Sequence, residues 1–176
     1  MSPDDFLRIY DAAISRMASE NSMIFEASYI EDAVRSEGLQ PEQICRDAYC
    51  LLRESAANLT NAQIEALMAL CGQDWESPES VPLLNNLLLL KNHQCHEDIV
   101  FSLKHHRCPS SVESLVKAVR AEFGYLTWDE NRGLARKCMW ALASIGNDAA
   151  WNAIVEFSNS DDLKIRAWAK EQLVRR

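Results

Sequence analysis

Two stretches of this chain can be laid over one another at a fixed offset of 31 residues: 134–142 over 165–173. Leu134 matches Ile165, Cys138 matches Ala169 and Leu142 matches Leu173, so both stretches repeat an apolar residue every fourth position, the spacing of a helix face. Between them, Ile145-Gly146-Asn147-Asp148 reads as a tight helix–helix turn, with Gly ending one helix and Asn or Asp capping the next. A helix pair of roughly 30 residues cannot bury its apolar face alone and needs a neighbouring pair to cover it. This repeat predicts an all-α chain, an α-solenoid of antiparallel helix pairs with about 9–10 helices. With only 5 Gly and 5 Pro in 176 residues, turn-dense all-β folds and Gly-rich phosphate loops are excluded.

Helix signals run along the rest of the chain. Ser2-Pro3-Asp4-Asp5 supplies a capping hydroxyl, Pro at the first helical position and acids on the positive dipole end. A second helix is expected from about Ser22 to Glu37, stopped by Gly38, and a third opens at Pro41-Glu42. Thr60 with Gln63 forms a capping box for a helix that Gly72 ends. Ser77-Pro78-Glu79 starts a leucine-rich helix to Leu90, and Ser110 with Glu113 makes a second capping box. The chain is expected to form one continuous domain, with an acidic helical region at 1–80 and the repeats at 81–176.

Charge is unevenly spread. Residues 1–88 hold 5 basic and 15 acidic side chains, net −10, whereas residues 89–176 hold 13 and 11, net +2; the whole chain stands at −8. That balance argues against a general nucleic-acid binder, which needs a net basic face to release counterions, and favours encounter with a basic partner. The acidic N-terminus lacks the basic and apolar regions of a signal peptide, and the longest apolar stretch, 83–90, is far too short to span a bilayer. A cytoplasmic protein with no membrane contact and reduced cysteines is the expectation.

The C-terminal half resembles a known family. Its residues are His93-Gln94-Cys95-His96-Glu97-Asp98-Ile99, then Tyr125-Leu126-Thr127-Trp128-Asp129-Glu130, then 134–142, then Ile145-Gly146. These resemble the bacterial HEAT-repeat proteins associated with polymorphic toxin systems. The resemblance covers residues 82–176 and implies a HEAT-like solenoid that serves as an immunity protein, a non-catalytic inhibitor that occludes the active site of a cognate toxin. A general HEAT-repeat scaffold, or a lyase or DNA glycosylase related only at the level of repeats, are the alternatives; a glycosylase would need a cationic groove, and Arg166, Lys170, Arg175 and Arg176 with Trp168 supply only a small one.

The search for chemistry supports a binding role. His93-x-x-His96 with Glu97 and Asp98 invites a metal, and on one helix the two imidazoles would share a face; with no HExxH or CxxC to complete a ligand set, packing and capping are the expected roles, with no cofactor and no metal. Cys108 precedes a helix start, where a dipole favours thiolate, and is a better candidate for a reactive thiol than Cys71, which ends a helix. The pairs Asp129-Glu130 and Asp161-Asp162 read as helix caps. Trp140, Trp151 and Trp168 fall at apolar repeat positions and read as core. Trp75 and Trp128 sit between helices beside Asp74, Glu76, Asp129 and Glu130, an aromatic with flanking carboxylates suited to anchoring a basic protein. The expected partner contacts are therefore Asp74, Trp75, Glu76, Glu97, Asp98, Tyr125, Trp128, Asp129 and Glu130.

Overall fold

The structure is a computed structural model and describes residues 1–20, 27–71, 75, 77–129 and 132–176. The described residues form ten α-helices joined by short 3-10 turns, and no strand occurs among them. Among them, no helix is long and apolar enough to cross a membrane. The chain divides into two compact units, Met1–Trp75 and Glu76–Arg176. The first carries 5 basic and 13 acidic residues and therefore the entire net charge of −8; the second, with 13 of each, is neutral overall.

The first unit contains α1 (Pro3–Ser19), α2 (Ala27–Ser36), α3 (Pro41–Ser55) and α4 (Asn61–Cys71). Helix α1 packs on α2 and α4, and α3 packs on α4 and α2. The apolar spacing supplies the core: Phe6, Ile9 and Ala13 from α1, Ile44, Ala48 and Leu52 from α3, and Ile64, Leu67 and Leu70 from α4. Local caps form as their residue types dictate. Ser2 and Asp5 bond each other's backbone N–H groups reciprocally, and the Thr60 amide donates to Gln63 Oε1 at 3.0 Å while the Gln63 amide donates to Thr60 Oγ1 at 3.3 Å. The same Gln63 donates from Nε2 to Asp4 at 2.7 Å, tying the start of α4 to the start of α1. Gly38, at φ +73°, closes α2 in the left-handed conformation. The expected helix start at Ser22 and stop at Gly72 lie outside the described residues.

The second unit contains α5 (Val81–Leu87), α6 (His96–His106), α7 (Val112–Arg120), α8 (Arg132–Ile145), α9 (Asp148–Phe157) and α10 (Leu163–Val174). Helix α8 packs against α6, α7, α9 and α10 at once. Its sequence allows this because Leu134, Ala135, Cys138, Met139, Ala141 and Leu142 are all buried, a mixture of small and branched side chains spread over more than one face. Gly146 at φ +68° ends α8, and Asn147 Oδ1 accepts the Ala150 amide at 2.8 Å to start α9. Asp162 does the same for α10, accepting from Lys164 and Ile165 at 2.9 and 3.1 Å.

Three local expectations need correction. The leucine-rich helix ends at Leu87, short of Leu90, where the bonds tighten, the Leu89 N–H donating to the Asn86 carbonyl and the Leu90 N–H to the Leu87 carbonyl. The Ser110–Glu113 box does not form: Pro109 opens a 3-10 turn over Pro109–Ser111, α7 starts from Ser111 without a side-chain cap, and Glu113 instead accepts from Lys117 one turn on. Trp140, Trp151 and Trp168 are half-buried and do not belong to the core.

The left-handed helix ends yield a prediction. Gly146→Ala meets only ordinary contacts, the nearest being the Ala143 carbonyl at 3.6 Å, so its effect is conformational: a loss of about 1–2 kcal/mol in denaturation free energy. Arg107 ends α6 at φ 51° without being glycine. Arg107→Gly should raise stability by a few tenths of a kcal/mol, the relief of the strained φ being partly offset by the freer unfolded chain. Urea denaturation of both variants measures the two signs.

Candidate functional site

Two regions of the second unit gather polar and aromatic side chains, one at each end of α6.

The first is built around buried histidines. The last carbonyls of a helix have no partner within it, and those following α5 are shielded from water. His93, in the segment before α6, places Nε2 2.8 Å from the Leu87 carbonyl, while its Nδ1 accepts from the Cys95 amide at 3.1 Å. His96, the first residue of α6, places Nε2 2.8 Å from the Leu90 carbonyl, and its Nδ1 accepts the Tyr125 hydroxyl proton at 3.0 Å. Each ring is therefore a neutral imidazole with its proton on Nε2. The rings stack with centroids 4.2 Å apart, and Phe123 lies 3.7 Å from the His96 centroid. The two do not share a helix face, since His93 lies outside α6. All four nitrogens are engaged, leaving no lone pair for a metal, and among the described residues no group of three His, Cys, Asp or Glu is placed to hold one.

Burial pushes the His96 imidazole down to about 4, with His93 alongside adding to the effect, and burial lowers His93 as well. Burial pushes the Tyr125 phenol up to about 12, with the nearby Glu97 carboxylate acting in the same direction. Tyr125 is half-buried with its hydroxyl committed to His96, and it stands over the first turn of α6, where Glu97 and Asp98 follow. Glu97 pairs with Lys137 of α8 at 2.7 Å, and Asp98 is exposed. Three of the expected contact residues thus come together. Trp128 and Asp129 belong to the same 3-10 segment as Tyr125, Gly124–Asp129, but their side chains lie outside what is described, as do Asp74, Glu76 and Glu130 entirely. Trp75 is half-buried at the end of the first unit, where its indole N–H donates to the Met68 carbonyl at 2.8 Å and its ring lies tilted against Tyr49 at 6.3 Å.

The second region is a groove of about 560 Å³ at the C-terminal ends of α6 and α10. Helix α8 contributes Trp140, Ala143 and Ser144, which share one stripe of that helix with Arg136. Lys104 of α6 and Trp151 of α9 flank it, and Gln172, Arg175 and Arg176 close it from α10. Its cations stand on its indoles: Arg136 lies 4.9 Å from the Trp140 centroid and 5.8 Å from Trp168, Lys104 lies 6.0 Å from Trp140, and Arg176 lies 4.9 Å from Trp151. Sequence reasoning placed a small cationic surface here but assigned the tryptophans to the core. The available signal was that Arg136, Trp140 and Ser144 recur four residues apart on a stripe separate from Leu134, Cys138 and Leu142. Cys108, expected as the one thiol at a helix start, has Sγ 3.2 Å from Ser110 Oγ and no imidazole or acid assigned to it.

The histidine pair carries a pH dependence. The folded value lies below the unfolded one, so the stabilising contribution is complete above about pH 6.5 and is lost as pH falls toward 4, where the unfolded chain binds protons that the folded chain refuses. His96 alone should lower the denaturation free energy by about 3 kcal/mol between pH 7 and pH 4. His96→Gln should flatten the slope over that window, as read from urea midpoints at stepped pH.

Comparison with protein families, with curated proteins and with solved structures finds no match for the chain.

Proposed function

We propose that this chain is a non-catalytic binding protein, an α-solenoid of HEAT-like antiparallel helix pairs that acts in the cytoplasm as an immunity protein. It neutralises a basic cognate toxin by covering the toxin's active site. The observation that carries this reading is the meeting of Glu97, Asp98 and Tyr125 at the first turn of α6, two acids and an aromatic held by the buried His96. A partner Lys or Arg that normally holds an anionic substrate would find there the exposed Asp98 carboxylate, beside a Glu97 it would share with Lys137 and a half-buried aromatic ring. The net charge of −8 on the first unit raises the encounter rate with such a partner. The packing of α10 on α8 and α9, with the 31-residue repeat and its Gly146-Asn147 turn, supports stacked helix pairs.

The reading is tested by purifying the protein bound in the source cells to a tagged copy of this chain, expressing it alone and then together with the chain. The expected result is a partner that arrests growth alone and is silenced by co-expression. A stoichiometric partner that is harmless alone makes the chain a general scaffold. Asp98→Lys should slow association with the toxin by about tenfold at low salt and reduce the salt dependence of the rate, with little change in dissociation. An unchanged association rate would remove the electrostatic part of the reading.

A further inference from the structure

We infer that the groove between Trp140, Trp151 and the end of α10 is a binding site for a nucleoside phosphate, a planar ring carrying a compact anion. This goes beyond the capture of a toxin and does not depend on it.

The groove selects charge first. Lys104, Arg175 and Arg176 bring three cationic side chains to it, and among the described residues no Asp or Glu lines it. Glu171, the nearest acid in α10, is bonded to Arg175 at 2.5 Å from outside the lining and holds that guanidinium in place. Two polar uncharged side chains, Ser144 and Gln172, complete the polar lining. The Ser144 hydroxyl proton is already given to the Trp140 carbonyl at 2.8 Å. Gln172 is only 6% exposed and its Nε2 has no acceptor. A buried amide N–H without an acceptor is costly and rare in a native fold, and Gln172 lines the groove, so a turn of its side chain would bring that amide to an acceptor on a ligand. A lining whose charged side chains are all cationic favours an anion, and a phosphate supplies one, carried on a base whose ring nitrogens and carbonyls also accept.

Shape comes second. Both indoles already carry flat cations on their faces, Arg136 on Trp140 and Arg176 on Trp151, which shows that these faces accept a planar group. Arg136 is held between two indoles, Trp140 and Trp168. Arg176 is exposed and rests on Trp151 alone. A base can therefore take the place of Arg176 over Trp151, and the displaced guanidinium, with Arg175 and Lys104, closes on the phosphate. A volume of about 560 Å³ lies within the range of small-ligand sites. The chain's net charge of −8 opposes an extended polyanion more than it opposes one phosphate. A single nucleotide is thus favoured over a nucleic-acid strand, and a ring with a phosphate over an acidic peptide, which offers the indoles no flat partner.

The test is calorimetric titration of the full chain with the four ribonucleoside monophosphates, with adenosine and inorganic phosphate as separate halves and hexaglutamate as the acidic peptide. The expected result is saturable binding of at least one monophosphate, about tenfold or more tighter than either half, with quenching of indole fluorescence. The double charge reversal Arg175→Glu with Arg176→Glu should weaken binding more than about tenfold, and Trp151→Ala by a similar factor. Gln172→Leu separates binding from folding: it removes the unpartnered amide, so the thermal midpoint should hold or rise while affinity falls. The proposal is overturned if no monophosphate binds at millimolar concentration, if adenosine or phosphate alone binds as tightly, if the charge reversal leaves affinity unchanged, or if hexaglutamate binds more tightly. None of these outcomes bears on growth arrest by a toxin, so the two readings stand or fall separately.

Discussion

Helix α8 is the constraint on which the second unit depends. A helix touched by four others must be apolar around most of its circumference and small enough for the neighbouring backbones to approach, and Leu134, Ala135, Cys138, Met139, Ala141 and Leu142 meet both demands. What remains of its surface is narrow and is therefore specialised. Lys137 reaches Glu97 at one end of α6, while Arg136, Trp140, Ala143 and Ser144 form a stripe at the groove. The burial of Cys138 follows from the same crowding, which pushes its thiol far above the ordinary range and leaves it a small apolar side chain.

A second constraint is the burial of helix ends. Helix α5 stops beside the buried side chains Leu87 and Leu88, and the carbonyls of Leu87 and Leu90 need partners there. Two neutral imidazoles solve the problem, each donating from Nε2 to a carbonyl six residues upstream and accepting on Nδ1 from another donor. Charging His93 would place a new N–H against the Cys95 amide, and charging either ring would put a cation in a buried site, which is what depresses both imidazoles. Through Tyr125 the same bonds fix the segment Gly124–Asp129 against the first turn of α6, which places an aromatic ring beside Glu97 and Asp98.

The all-helical class was legible in the sequence, as were the features whose cause lies within four residues: the caps at Ser2, Thr60, Asn147 and Asp162, and the left-handed turns at Gly38 and Gly146. Features set by distant residues were not. Apolar periodicity marked Trp140, Trp151 and Trp168 as inward-facing because an indole counts as apolar, yet periodicity cannot say whether a stripe meets a helix or a groove. His93 and His96 were read correctly as packing and capping residues, but their hydrogen-bond partners lie six and 29 positions away and no local rule connects them. The Ser110 box failed for a local reason: Pro109 committed the chain to a 3-10 turn and moved the helix start to Ser111.

The two polar regions share an electrostatic origin. Glu97 and Asp98 sit in the first turn of α6, where the helix dipole favours negative charge, and Lys104 sits in its last turn, where the dipole favours positive charge. Arg175, at the end of α10, obeys the same rule. Eleven residues of helix set the ends of α6 about 16 Å apart, so one helix carries an acidic surface at one end and a cationic groove at the other. Each of these side chains therefore stabilises a helix terminus by about 0.3–1 kcal/mol whatever else it binds. A charge reversal at either end mixes a folding effect with a binding effect. Removing a neutral group such as the Gln172 amide does not, because the dipole has no hold on it and nothing in the folded chain accepts its N–H. Gln172 is thus the position in the groove whose substitution reads binding apart from the dipole's share in the stability of the fold.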